Sequence, residues 1–153
     1  MTRKDRQIRI CAMLLILNLG FIWGNSLLPA EVSQALSDWV KGFLTVLSSG
    51  EPGPSSGSGL LRKIAHFTEF TALGLLLSWL FILLQKKRWY PLPYGVAAAC
   101  VDETIQFFVP GRSPGFLDVG IDSCGVLTGM ILLQIGYLML RRIQPISFGG
   151  QQK

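Results

Sequence analysis

The chain has 153 residues, of which 50% are hydrophobic and only 15% charged, and its mean hydropathy is +0.44. Soluble domains carry about 25% charged residues, so this composition points to a membrane protein and excludes a disordered, collagen-like or disulfide-scaffold chain. Fourteen basic and nine acidic residues give a net charge of +5. The basic residues fall in short clusters between apolar runs, which is a membrane pattern, and no nucleic-acid partner is expected.

Residues 1–9 carry Arg3, Lys4, Arg6 and Arg9 and read as a cytoplasmic N-terminus. Residues 10–28 are uncharged and form the first expected span, since about 20 apolar residues cross the hydrocarbon. The run exceeds the roughly 7–15 apolar residues of a signal peptide, and Leu28-Pro29-Ala30 is a poor cleavage site, so it is expected to stay uncleaved. Residues 29–62 form an external loop. In it Val32, Leu36, Trp39, Val40, Phe43 and Leu47 recur at helical spacing opposite Gln34, Ser37, Asp38 and Lys41. This predicts a helix over 31–47, either lying in the outer interface or packed on the bundle. Residues 48–59, SSGEPGPSSGSG, have the composition of a flexible linker.

The second span covers 63–84 and the cytoplasmic loop 85–92, with Lys86, Lys87 and Arg88, follows it. The third, 93–109, is short and contains Asp102, Glu103 and Gln106. An external turn, 110–117, leads to the fourth span, 118–140, and a cytoplasmic tail, 141–153, opens at Arg141 and Arg142. Basic clusters favour the cytoplasmic side. Four spans with both termini inside place ten of the fourteen basic residues there, leaving Lys41, Arg62, Lys63 and Arg112 outside. The expectation is an all-α membrane protein, one domain, with four transmembrane helices in a compact bundle. Cys11, Cys100 and Cys124 show no metal spacing and read as small core residues.

Charges inside spans are costly and mark functional sites by default. In this topology His66, Glu69, Asp102, Glu103, Gln106, Asp118 and Asp122 share a depth, within about 10 Å of the outer boundary at the helical rise. Lys63 and Arg112 lie at the same end. Gly95, Ala98, Ala99, Asp102 and Gln106 share one helix face, and Asp118, Asp122, Gly125, Gly129 and Gly136 another. Gly125-x-x-x-Gly129 and Gly20-x-x-x-Gly24 are candidate close-packing faces. Arg112, on the turn between the third and fourth spans, is placed to fork onto Glu103 or Asp122. Such a set can lock a bundle by internal pairing, but it is richer than locking requires, and an outward polar cavity is the preferred reading.

The blocks Arg62-Lys63-Ile64-Ala65-His66-Phe67-Thr68-Glu69-Phe70, Asp102-Glu103-Thr104-Ile105-Gln106-Phe107-Phe108-Val109-Pro110-Gly111-Arg112, and Asp118 through Asp122-Ser123-Cys124-Gly125 resemble the VanZ-like membrane protein family. The similarity runs from Arg62 to Gly129, and Phe70 stands where a Tyr is usual in the family. The resemblance implies a small polytopic membrane protein. The family's namesake confers low-level teicoplanin resistance.

Three functions compete. In the leading one the cavity binds a membrane lipid or lipid-anchored envelope molecule at the bacterial cell membrane, with Arg112 on an anionic group, Lys63 assisting and the carboxylates on sugar or amine groups. The second is an intramembrane hydrolase of a lipid-linked phosphate, in which the acids and His66 hold a divalent metal. No metal or catalytic motif is present and no cofactor is required, although a divalent metal is compatible with the acids. The third is a transporter, disfavoured because the inner half of the bundle is almost wholly apolar. A homo-oligomer is left open.

Overall fold

The computed structural model describes residues 2–48, 58–113 and 115–143. Among them the protein is all-helical: α1 Arg3–Ser26, α2 Ala30–Ser48, α3 Ser58–Leu83, α4 Pro91–Phe107 and α5 Phe116–Ile143. α1 opens with a capping box. The Thr2 hydroxyl accepts from the Asp5 amide (3.1 Å), and the Asp5 carboxylate accepts from the Thr2 amide (2.9 Å). α4 begins on prolines, whose missing amides cost nothing in a first turn.

Among the described residues, three helices are long and apolar enough to cross a membrane: Arg3–Ser26, Gly59–Leu83 and Phe116–Leu140. Only 17%, 22% and 22% of their most apolar windows is buried inside the protein. Leu17, Phe21, Ile64, Ile131 and Met139 are among the large apolar side chains left outward, as expected where lipid, not protein, covers the helices. α4, expected as the third span, has 17 residues and falls short of that length.

α1 and α5 each pack against both α3 and α4, and α3 and α5 share the most extensive face. Glycine makes that face possible. A Cβ at Gly125 would stand 2.6 Å from the Phe67 carbonyl, and one at Gly129 would collide with the Thr71 carbonyl. From the other side, a Cβ at Gly74 would collide with the Val126 backbone. Val126 is fully buried and also meets Gly95 of α4, so one α5 residue touches both neighbours. Cys11, Leu15, Ile22, Phe70, Leu73, Ala98, Ala99 and Met130 complete the core around it.

Two packing expectations fail. Among the described residues, added Cβ atoms at Gly20, Gly24 and Gly136 would meet nothing within 4 Å, so those glycines make no close approach there. Of the three cysteines only Cys11 is in the core, its thiol directed at the Leu76 carbonyl (3.4 Å); Cys100 and Cys124 are exposed. Helical periodicity leaves the rotation of each helix undetermined, and these residues fell on outward faces.

The helix expected over 31–47 is α2, and Val32, Leu36 and Trp39 on it are exposed. The expected linker falls mostly on residues 49–57, outside the described part, while Ser58 and Gly59 already belong to α3.

Candidate functional site

The polar residues gather at one end of the bundle, where the end of α1, the first half of α3, the second half of α4 and the start of α5 meet. Asp102, Glu103, Gln106, Arg112 and Asp122 are all buried. Asp102 has no exposed surface. Its Oδ1 accepts from the Ser26 hydroxyl (2.7 Å) and its Oδ2 from the Gln106 amide (2.8 Å). His66 Nδ1 lies 3.6 Å from the same Oδ2, beyond hydrogen-bond length.

Arg112 does not fork onto a carboxylate. Its Nη2 donates to the Asn25 carbonyl (2.8 Å), its Nε to the Leu28 carbonyl (3.1 Å), and its Nη1 reaches the Gln106 side-chain oxygen at 3.4 Å. The last carbonyls of a helix have no intrahelical partner, and here a guanidinium closes the end of α1. The turn that carries Arg112 passes Gly111, whose φ of +76° is a left-handed conformation suited to glycine. Burial pulls the Arg112 pKa below the ordinary arginine value, and neighbouring Arg62 adds to the shift. A guanidinium stays charged through such a shift.

Glu103 accepts from the Gly115 amide through Oε2 (2.9 Å), which ties α4 to the start of α5. Glu69 faces α1, where the Asn25 side-chain amide donates to its Oε1 (2.8 Å). Lys63 and Asp118 pair at the rim (3.7 Å). Lys63, His66, Glu103, Gln106, Asp118 and Asp122, with Arg62, line one small cavity, and Asp102, Arg112 and Glu69 are not part of its lining. Four atoms in this region are buried without a hydrogen-bond partner: His66 Nδ1, Glu69 Oε2, Glu103 Oε1 and Asp122 Oδ2.

Asn25 and Ser26 stand outside the residues expected from sequence, yet both bond its acids. Their signal was a polar pair closing an apolar run, and only the packing of α1 on α3 and α4 shows what they reach. Beside the polar cavity lies a separate groove of about 590 Å³ between α4 and α5. It is lined by Cys100, Thr104, Phe107, Phe108, Phe116 and Val119, and Glu103 borders it as well.

Outward apolar helices around a buried polar cluster define a small multi-pass helical membrane protein. The chain belongs to the VanZ/LLP1 family, whose sequence model matches residues 10–139. Comparison with curated proteins and with solved structures gave no significant match.

Proposed function

We propose that the protein binds an amphiphilic molecule of the bacterial cell envelope, a membrane lipid or a lipid-linked or lipid-modified glycopeptide. The apolar tail would lie between α4 and α5 and the polar head at the adjoining cavity. The observation that carries this is the position of Glu103, which borders both the apolar groove and the polar cavity. At about 590 Å³ the groove is within the range of ligand sites, roughly 300–1,000 Å³. In a bilayer an apolar groove of this kind is filled by an acyl or isoprenoid chain. Lys63, Arg62 and Asp118 at the cavity rim supply charged contacts for a head group. Arg112, in this reading, shapes the site from behind rather than touching the head group.

The proposal includes a topology. α1, α3, α4 and α5 cross the cell membrane with both termini inside, α4 being short because the protein surrounds its polar half. The polar end then faces outward, with the exposed Val32, Leu36 and Trp39 of α2 against the outer interface. An outer-leaflet site for lipid-modified molecules fits the teicoplanin resistance linked to the family's namesake, since teicoplanin carries an acyl chain.

The test uses purified protein in nanodiscs, with binding of a polyprenyl phosphate and of teicoplanin measured by native mass spectrometry. Val119→Trp, which fills the groove, should weaken binding of both by about tenfold or more, and Lys63→Gln should weaken the polyprenyl phosphate. Equal binding of teicoplanin and a deacylated glycopeptide, or wild-type binding by Val119→Trp, overturns the reading.

A further inference from the structure

We propose that His66, Asp102 and Asp122 form a binding site for one divalent transition-metal ion of the zinc class. One residue comes from each of α3, α4 and α5. One ligand atom of each lies within 4.8 Å of the others. Three protein ligands with a remaining open position are the usual donor count of a non-structural zinc site.

The unpaired atoms point to a ligand independently of that clustering. Asp122 is 1% exposed, yet its Oδ2 has no hydrogen-bond partner, and neither does His66 Nδ1. Buried carboxylates are ordinarily paired or coordinate metals. Two of the basic residues nearby are engaged elsewhere, Arg112 on the carbonyls of Asn25 and Leu28 and Lys63 on Asp118, while Arg62 lines the cavity wall. Among the described residues, no lysine or arginine forms an ion pair with Asp102 or Asp122. A divalent ion between them would balance two carboxylates and a neutral imidazole.

One edge of the triad matches the ion, and the other two lie within 4.8 Å. Two ligands of a tetrahedral zinc, each bonded at about 2.1 Å, stand roughly 3.4 Å apart. His66 Nδ1 and Asp102 Oδ2 are 3.6 Å apart, too far for a hydrogen bond and close to this ligand–ligand edge. Metal-bound groups are normally held by outer partners. Ser26 and Gln106 do this for Asp102, one on each oxygen, and a carboxylate oxygen retains a second lone pair for a metal. The cavity against His66 and Asp122 has a volume of about 10 Å³, room for one water at the fourth position. The unpartnered Glu103 Oε1 belongs to a residue lining the same cavity, placed to accept a hydrogen bond from such a water.

The donor set selects among ions. An imidazole with two carboxylates suits zinc and its first-row neighbours. It has too few oxygens for calcium, and magnesium disfavours imidazole. No thiolate is present to select a soft copper ion.

Metal binding is measured without any lipid, so this inference and the amphiphile reading fail separately. Full-length protein in detergent is stripped with a chelator, dialysed against zinc chloride, and its metal content determined by elemental mass spectrometry. The expected result is about one zinc per chain, not displaced by millimolar magnesium. His66→Gln and Asp122→Asn should each lower zinc affinity by at least about tenfold. Glu31→Gln, on α2, should leave it unchanged. Where a ligand variant does not fold, cobalt loading of the wild type decides. A four- or five-coordinate site gives intense visible absorption bands, lost on adding zinc. A wild-type protein that takes up neither ion stoichiometrically overturns the proposal. So does folded His66→Gln or Asp122→Asn protein with undiminished zinc, or equal competition by magnesium.

Discussion

Replacing Arg112 by lysine separates a role in the scaffold from a role in ligand recognition. The guanidinium spans two carbonyls at the end of α1, Asn25 at 2.8 Å and Leu28 at 3.1 Å, from two different nitrogens. An ammonium is one nitrogen on a different stem, without the fork that fixes both bonds, so at least one of them should be lost or lengthened. A hydrogen bond from a charged donor contributes about 1.5–3 kcal/mol net, and the Leu28 carbonyl left without it would cost about 1–3 kcal/mol, whereas the Asn25 carbonyl keeps the Leu28 amide at 3.2 Å. Allowing for partial relaxation, Arg112→Lys should destabilise the bundle by about 2–4 kcal/mol. At the scaling for chains of this size that is a fall of roughly 5–15 °C in Tm. The assay is thermal unfolding in one fixed detergent, followed by circular dichroism and by a fluorescence size-exclusion profile. Lipid binding, measured well below the lowered Tm, should be close to wild type. A variant that melts like the wild type while losing the polyprenyl phosphate would refute the reasoning, because Arg112 would then act on the ligand and not on α1.

Gly129→Leu should lower yield and Tm markedly, since a Cβ there already collides with the Thr71 carbonyl and overpacking typically costs about 1–3 kcal/mol. Gly24→Leu meets nothing within 4 Å and should stay within about 0.5 kcal/mol of wild type, so equal melting of the two would mean that the α3–α5 contact is misplaced. For topology, Ser56→Cys in a cysteine-free background should react with a membrane-impermeant thiol reagent in intact cells, and Gln85→Cys should not; labelling of both defeats the proposed orientation.

How far the sequence reaches can be judged residue by residue. Apolar runs of membrane length and their basic flanks are local properties, and they were enough for a helical membrane protein. The polar site was legible for a related reason. Charged side chains in apolar helices must meet one another or water, so His66, Glu103, Gln106 and Asp122, which line one cavity, had few other places to go. The family motif from Asp102 to Arg112 was equally a matter of linear spacing.

What escaped the sequence was relational. Periodicity orders the residues around each helix but does not say which neighbour a face meets. Hence Gly125 and Gly129 press on α3 while Gly20-x-x-x-Gly24, the same spacing, faces outward. Cys100 and Cys124 lie outside the core for the same reason. The partner of Arg112 was misassigned because side-chain charge suggested a carboxylate, whereas the unsatisfied carbonyls at a helix end are invisible in a list of side chains. Asn25 and Ser26 joined the site only when α1 came against α3 and α4. Composition and spacing settle which runs must leave water and which polar residues they carry. Only the packed helices decide which buried group finds a partner and which, like Asp122 Oδ2, is left without one.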